Sequence, residues 1–376
     1  MNTPAAGPEG RVLVVGGGIG GLATAAALAR FDIPALVLER RDQPADGGLG
    51  INLPGNAISA VQALGLGEQI EQLGAPLRRR EYRNQRGRLV FSVDEDAFWG
   101  PSARSRCVLR GELMALLGTA VPPETVRLGA EVRGLSMDGD TVTAELAEGA
   151  TEVGALLVGA DGVGSTVRRH AGHGESPRAA LLSRASWRFV TGNRGIDCWV
   201  VWSGSAGTVL FIPLGADRIY GWVSVPQDVA SFDDVAEAFD RFPGVVRDTL
   251  AAARAEPVPP HWSPLEEVRP AAWTTGRVVL LGDAAHATAP VWAQGAALAM
   301  EDALVLADIL GRSDSWSDAG AALARRRRSP VEHVQAMTDR LSRAARLPSV
   351  VRDLILPVVG PRTYRATYGP LRRSVV

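Results

Sequence analysis

Short apolar runs, amphipathic stretches and polar turns alternate along this chain, and the pattern predicts a mixed α/β fold. Val12–Val15 is a run too short for a helix and suited to a buried strand. Glycines then punctuate a turn, and Leu22, Ala25, Ala26, Leu28 and Ala29 continue a helix. Asp32 stands at a helix-end position usually held by glycine, where aspartate tolerates a left-handed backbone. Ala35–Leu38 supplies a second apolar strand, ending at Glu39. Residues 56–64 carry Ala57, Ala60, Val61 and Leu64 on one helical face. Residues 77–93 read as a hairpin turning at 84–87, with alternation at Leu89, Phe91 and Val93. Arg110 opens a helix whose Leu113, Leu116 and Leu117 face a core. Residues 126–158 read as short strands with a turn at Asp138-Gly139-Asp140.

From about 175 to 272 the texture changes. Trp187, Phe189, Trp199, Val201, Phe211, Tyr220, Trp222 and Val223 sit in strand-like runs between SGSAG and LGADR turns, which predicts an antiparallel sheet. A helix is expected over 232–253. VVLLGDAAHATAP returns to the style of the first unit, a helix follows through AALAMEDALVLADIL, and charged helical sequence closes the chain. The expected organisation is a nucleotide-binding α/β domain built from residues 1–75, 100–172 and 273–330. A β-sheet substrate domain of residues 76–99 and 173–272 interleaves with it, and 331–376 forms a C-terminal helical segment.

The first unit carries candidate chemistry. Gly16, Gly18 and Gly21, with Ile19 and Gly20 between them, have the spacing of a dinucleotide-binding turn. The glycines allow the tight turn, the close approach of backbone to a pyrophosphate and the packing of helix on strand, while the helix N–H groups point at the phosphates. Glu39 lies about 20 residues on, where a carboxylate accepts from a ribose diol. Arg40 beside it is suited to a 2′-phosphate, so this unit alone leaves FAD and NAD(P) both open. Two further stretches place an aspartate and glycines just beyond a strand. One runs from Gly159 to Arg168 and holds Asp161 and Gly162; the other is Gly282-Asp283-Ala284-Ala285-His286, followed by Pro290, Gln294, Gly295 and Ala296. An aspartate there serves either ligand hydroxyls or a helix N-terminus.

In order and spacing these three stretches resemble the FAD-dependent aromatic hydroxylases, the p-hydroxybenzoate hydroxylase family, over nearly the whole chain. The resemblance implies a Rossmann-like FAD-binding domain interleaved with the sheet domain, and FAD rather than NAD(P) as the bound cofactor. It implies that Gly16, Gly18 and Gly21 hold the pyrophosphate, Glu39 the adenosine ribose and Asp283 the ribityl or pyrophosphate oxygens. Arg110 would contact the cofactor, Asp161 would sit between FAD and the pyridine nucleotide path, and the helix begun at Gln294 and Gly295 would face the flavin pyrimidine ring, where reduced flavin carries negative charge. NAD(P)H would be the transient reductant. O2 would react through a flavin C4a-hydroperoxide that hydroxylates or epoxidises an aromatic or polycyclic small molecule, in secondary metabolism or aromatic catabolism. Trp199, Phe211 and Trp222 are pocket candidates, and Trp292 would lie beside the flavin edge. Two departures from the family pattern are Ala293, where a glycine is usual, and Ala297, where an asparagine is frequent. They motivate one alternative, an FAD-dependent dehydrogenase or reductase without oxygen insertion; a separate alternative is a non-catalytic FAD-containing binding protein. A halogenase is excluded because its lysine and Trp-x-Trp-x-Ile motif are missing.

Composition changes little. The chain has 376 residues, 46% of them hydrophobic and 22% charged, and a net charge of −1, which gives no reason to expect nucleic acid or membrane as partner. All 40 basic residues are arginines, so no mechanism here uses a lysine. Cys107 and Cys198 form no metal or redox spacing, and His170 and His173 have no third ligand nearby, so no metal site is expected. His286 reads as part of its loop's hydrogen bonding rather than as a base. The N-terminus lacks the regions of a signal peptide and no apolar stretch reaches the roughly 20 residues of a membrane span, so a cytoplasmic protein is expected.

Overall fold

The computed structural model describes residues 10–43, 48–173, 177–180, 185–225, 231–345 and 347–375. The N-terminal stretch 1–9 and residues 44–47 of the loop after Arg41 lie outside the described residues. Among the described residues, no helix is long and apolar enough to cross a membrane.

Strand Val12–Val15 occupies the middle of a six-stranded sheet because it is apolar at every position and both its faces are covered. It pairs in parallel with Ala35–Leu38 on one side and with Leu156–Gly159 on the other, and the latter pairs in parallel with Val278–Leu280. Val12 and Val14 pack on one face against helices Ile19–Ala29 and Gly295–Arg312; Leu13 and Val15 pack on the opposite face with Leu157, Val278 and Leu280. Small side chains let helix Ile19–Ala29 be buried nearly all round, from Ala23 to Leu28. Asp32 adopts the left-handed backbone, φ 54°, at the end of that helix. Strands Val132–Asp138, Thr141–Leu146 and Thr151–Gly154 form an antiparallel meander, with Gly139 at φ 54° in its first turn.

A second sheet has seven strands in the order His261–Pro264, Ala185–Gly192, Arg218–Ser224, Thr208–Pro213, Trp199–Ser203, Arg79–Asn84 and Leu89–Asp94. Every pairing is antiparallel except Arg79–Asn84 with Trp199–Ser203, which is parallel and joins the early hairpin to the later strands. Side chains alternate between the two faces. Val200, Trp202, Val209, Phe211, Ile219 and Val223 pack on one face against helices Phe232–Ala238 and Gly244–Ala255. The single helix expected over 232–253 is therefore two. Pro243 has no N–H to continue the first helix and caps the second, while Phe239 and Phe242 in the break pack together with ring centroids 4.6 Å apart.

Helices Ala319–Ala344 and Ser349–Tyr368 complete the chain. The last helix runs across the edge strand Leu89–Asp94 so closely that a Cβ on Gly360 would stand 2.3 Å from the Phe91 ring. It buries Tyr364 and Tyr368 against Phe98, Trp99 and Trp292 and so covers a strand edge that would otherwise be open.

Candidate active site

The turn after the first strand is shaped by the absence of side chains. Gly16 has φ 106°, and a Cβ on Gly21 would lie 1.8 Å from the Gly16 carbonyl oxygen, so the turn closes only with glycine. Gly18, Ile19 and Gly20 present backbone to a cavity. Glu39 reaches the turn from the end of the second strand: Gly17 N–H donates to its Oε2 at 2.6 Å and Arg41 N–H to its Oε1 at 3.0 Å. Arg40 is exposed next to it. Arg110, first residue of helix Arg110–Thr119, enters the cavity along with Asp283. Desolvation there lowers the Arg110 pKa; Asp283 opposes that shift, and Arg41 and Arg188 add to it.

Asp161 turns its carboxylate onto its own chain. Ser165 Oγ donates to Oδ1 at 2.5 Å, and the N–H groups of Thr166 and Val167 donate to Oδ2 at 2.7 and 3.1 Å, so it holds the start of helix Thr166–His170. Gly162 beside it lines the cavity. Arg168 ties this segment to the Gly282–His286 segment by donating to the carbonyls of Val163 at 2.6 Å and Ala284 at 2.9 Å.

The Gly282 turn, φ 57°, is held from behind. Gly282 N–H donates to Asp302 Oδ2 at 3.1 Å, and His286 Nε2 meets the same oxygen at 2.6 Å. Arg327 donates to Asp302 at 2.7 Å and to Glu301 at 2.6 Å, and all three are buried. Burial would raise the Asp302 pKa, but His286 and Arg327 hold it down at about 2; burial raises that of Glu301. Asn56 donates to Glu301 at 2.8 Å and exchanges hydrogen bonds with Gln294 at 2.9 and 3.0 Å. The Gln294 side chain is thus locked in the interior while Gly295, Ala296 and Pro290 line the cavity. Ala293 between them sits at φ 52°, ψ 38°, a left-handed conformation in which its Cβ is strained.

The cavity, about 990 Å³, lies between these turns and the uncovered face of the seven-stranded sheet. Trp199, Trp222 and Trp292 line it; Phe211 does not. Phe211 was expected in the pocket, but on strand Thr208–Pro213 it has the parity of Val209, so it points into the helix-covered core while Thr208, Leu210 and Ile212 face the cavity. Tyr82 and Phe91 stack with centroids 4.1 Å apart and continue the aromatic floor beside Trp199.

Three cavity groups are not among the site candidates that the sequence supplied. Arg80, 1% exposed, is ion-paired to Glu95, lies 5.0 Å from the Trp199 ring centroid and donates to the Tyr368 hydroxyl at 3.2 Å. Tyr368 in turn donates to the Trp292 carbonyl at 2.6 Å, and Tyr364 donates to Glu95 at 2.5 Å. Burial alone would lower the Arg80 pKa, but Glu95 together with Tyr368, Tyr364 and Tyr82 outweighs it, and the guanidinium stays cationic. Arg188 and Tyr220 are the other two, on neighbouring strands. Their chemistry depends on partners distant in sequence, and only strand parity could have hinted at their direction.

Among the described residues, several buried polar atoms on the cavity wall have no protein partner. They are both ends of the Asn52 amide, Arg80 Nη2, Arg188 Nε, Trp222 Nε1, Trp292 Nε1 and the hydroxyls of Ser263 and Thr288. Buried polar groups are ordinarily hydrogen-bonded, so such a cluster marks a wall completed by a ligand or by ordered water. FAD fits it: a glycine cradle for phosphates, a carboxylate at the turn, a cation at Arg110, and an amide with both ends available.

Residues 9–331 match the FAD binding domain family. The chain is 31% identical over 343 residues to the 3-amino-4-hydroxybenzoate 2-monooxygenase PtmB3 of Streptomyces platensis, covering 84% of this chain and 82% of that one. It is 29% identical over 331 residues to an FAD-dependent urate hydroxylase of Klebsiella pneumoniae, covering 83% and 84%. Klebsiella pneumoniae HpxO, solved with FAD and uric acid, superposes with a TM-score of 0.82 at 25% identity, over 99% of this chain and 95% of that one. The chain belongs to the FAD-dependent aromatic hydroxylases and is a flavoprotein monooxygenase of the p-hydroxybenzoate hydroxylase type.

Proposed function

We propose that the protein uses NAD(P)H and O2 to oxygenate an aromatic substrate of one to a few fused rings, lying on the Trp199 and Trp222 side of the cavity. The observation that carries this reading is one continuous cavity reaching from the Gly18–Gly20 backbone to the aromatic face of the sheet. When bound, FAD supplies hydride acceptance from the nicotinamide and the activation of O2. Gly16, Gly18, Gly21 and Arg110 would hold the pyrophosphate and Glu39 the ribose; Asp283, which accepts no protein hydrogen bond among the described residues, is free for ligand hydroxyls. The Gly295 helix N-terminus would favour negative charge on the flavin, and the Asn52 amide, donor and acceptor together, would match a ring edge bearing C=O and N–H. Tyr364, Tyr368 and the last helix close the cavity beside Trp292 and keep water from the ring. Relatives named for 3-amino-4-hydroxybenzoate and urate support a small aromatic substrate.

The test is anaerobic mixing of the FAD-loaded protein with NADH or NADPH while an aromatic panel is screened for faster bleaching of the flavin. Bleaching accelerated by an aromatic ligand, followed by an oxygenated product once O2 is admitted, is expected. A flavin that neither nucleotide reduces with any ligand would contradict the reading.

A further inference from the structure

Three non-glycine residues among those described carry a left-handed backbone: Asp32 at φ 54°, Glu124 at φ 64° and Ala293 at φ 52°. Asp32 and Glu124 are exposed, whereas Ala293 lines the cavity one residue before Gln294 caps helix Gly295–Arg312. Aspartate eases this conformation by bonding its own backbone, and alanine has no polar atom with which to do so. Such strain persists only where the surroundings impose it. The φ of Ala293 depends on the Trp292–Ala293 peptide plane, and that plane is gripped at both ends. Its N–H donates to the Pro290 carbonyl at 3.2 Å, and its C=O accepts from the Tyr368 hydroxyl at 2.6 Å. The hydroxyl is itself fixed. Arg80 Nη1 donates to it at 3.2 Å, and a guanidinium accepts nothing, so the single phenol proton goes to the Trp292 carbonyl. Arg80 is held by its ion pair with Glu95, which also accepts from Tyr364 at 2.5 Å and from Ser105 at 2.6 Å. Arg80, Glu95 and Tyr368 are each no more than 1% exposed. On the other side of Ala293, Gln294 is fixed by its exchange with Asn56. Ala293 is thus a strained link between two anchored groups.

We infer that Tyr368 is a positioning residue for the cofactor: its hydroxyl holds the Trp292–Ala293 peptide in the left-handed turn and so aims the N-terminus of helix Gly295–Arg312 at the flavin. This rests on the reading above that this helix end favours negative charge on the flavin. The anchor lies 76 residues from the turn, at the end of the last helix, so the C-terminal segment is part of the cofactor site as well as its cover. Without the hydroxyl, the peptide plane is free to rotate, Ala293 relaxes out of the left-handed region, and the first N–H groups of the helix turn away. Reduced flavin then loses more than oxidised flavin, because it carries the negative charge. Glycine at position 293 takes the left-handed backbone without strain, and a turn so built does not need the hydroxyl.

The test is a double-substitution cycle on the FAD-loaded protein, read as the FAD dissociation constant and the flavin reduction potential. Y368F is expected to weaken FAD binding several-fold and to cut the preference for reduced over oxidised flavin about tenfold, which for a two-electron couple moves the potential about 30 mV negative. A293G alone should change both quantities little, and Y368F/A293G should return both to near the wild-type values. Y364F removes a hydroxyl that donates to Glu95 without touching the Trp292 carbonyl, so A293G should leave its effect uncorrected. That contrast separates positioning from lost packing, which a glycine at 293 could not repair. If Y368F alone does not fold, recovery of a folded, FAD-binding protein on adding A293G supports the inference, and no recovery overturns it. A Y368F protein unchanged in both quantities, or an effect that A293G leaves in place or corrects equally in Y364F, would also overturn it. A wild-type potential no higher than that of free FAD would instead contradict the reading of helix Gly295–Arg312, and the coupling in FAD affinity would still decide for or against Tyr368.

Discussion

Two sets of polar groups, one in the interior behind the nucleotide turns and one on the cavity face of the sheet, are built differently. Behind the nucleotide turns, Arg327 is matched by Glu301 and Asp302, Asp302 by His286 and the Gly282 N–H, and Glu301 and Gln294 by Asn56. Each of these groups has a protein partner. On the sheet, Arg188 Nε, Trp222 Nε1 and Ser263 Oγ have none. The same residue chemistry thus takes two forms: the closed network fixes the backbone of the turns, and the open one leaves donors on the cavity wall without a protein partner.

Breaking the closed network should cost most. R327M leaves Glu301 and Asp302 buried without their cation, and a loss of about 3–5 kcal/mol in unfolding free energy is expected, with weakened FAD retention, read by thermal and urea unfolding. Acid attacks the same place. Asp302 has a folded pKa of about 2, below its unfolded value, so its contribution is full above about pH 4 and is lost as pH falls toward 2. Unfolding midpoints should drop over that window, by on the order of 2 kcal/mol for this group, and D302N should flatten the drop. The sheet side should respond far less. R188M removes a partly exposed charge that has no ion pair among the described residues, so stability should hold within about 1 kcal/mol. A loss of several kcal/mol would mean that Arg188 is structural. A293G should stabilise by about 1 kcal/mol, since glycine takes the left-handed backbone at φ 52° without strain. Least of all, the thiols should be silent. Burial pushes Cys198 up to about 11 and Cys107 higher still, so neither should react with a thiol reagent near pH 8 until the protein unfolds.

The closed side was largely legible in the chain and the open side was not. The turn at Gly16–Gly21, the strand pair around it and the helix begun at Gly295 declare themselves through local spacing, because glycine placement and an apolar run are short-range constraints. Partners were less visible: the sequence allowed Asp161 either ligand hydroxyls or a helix N-terminus without choosing the cap at Thr166, and nothing in it reveals that Gln294 answers Asn56 from 238 residues away. On the sheet, aromatic content announced strands but not which face each ring would take. Phe211 and Trp222 are both aromatic residues in strands, and parity alone sends one to the helices and the other to the cavity. Arg80 and Glu95 acquire meaning only when Tyr364 and Tyr368 arrive from the far end of the chain.

The most direct test of oxygen insertion is isotopic. FAD-loaded protein, the better of the two nicotinamide reductants and whichever aromatic ligand most accelerates its oxidation are turned over under 18O2, and the product is weighed. One labelled oxygen atom in the organic product is predicted. Complete recovery of the label as hydrogen peroxide, with the aromatic ligand unchanged across the panel, would contradict the account.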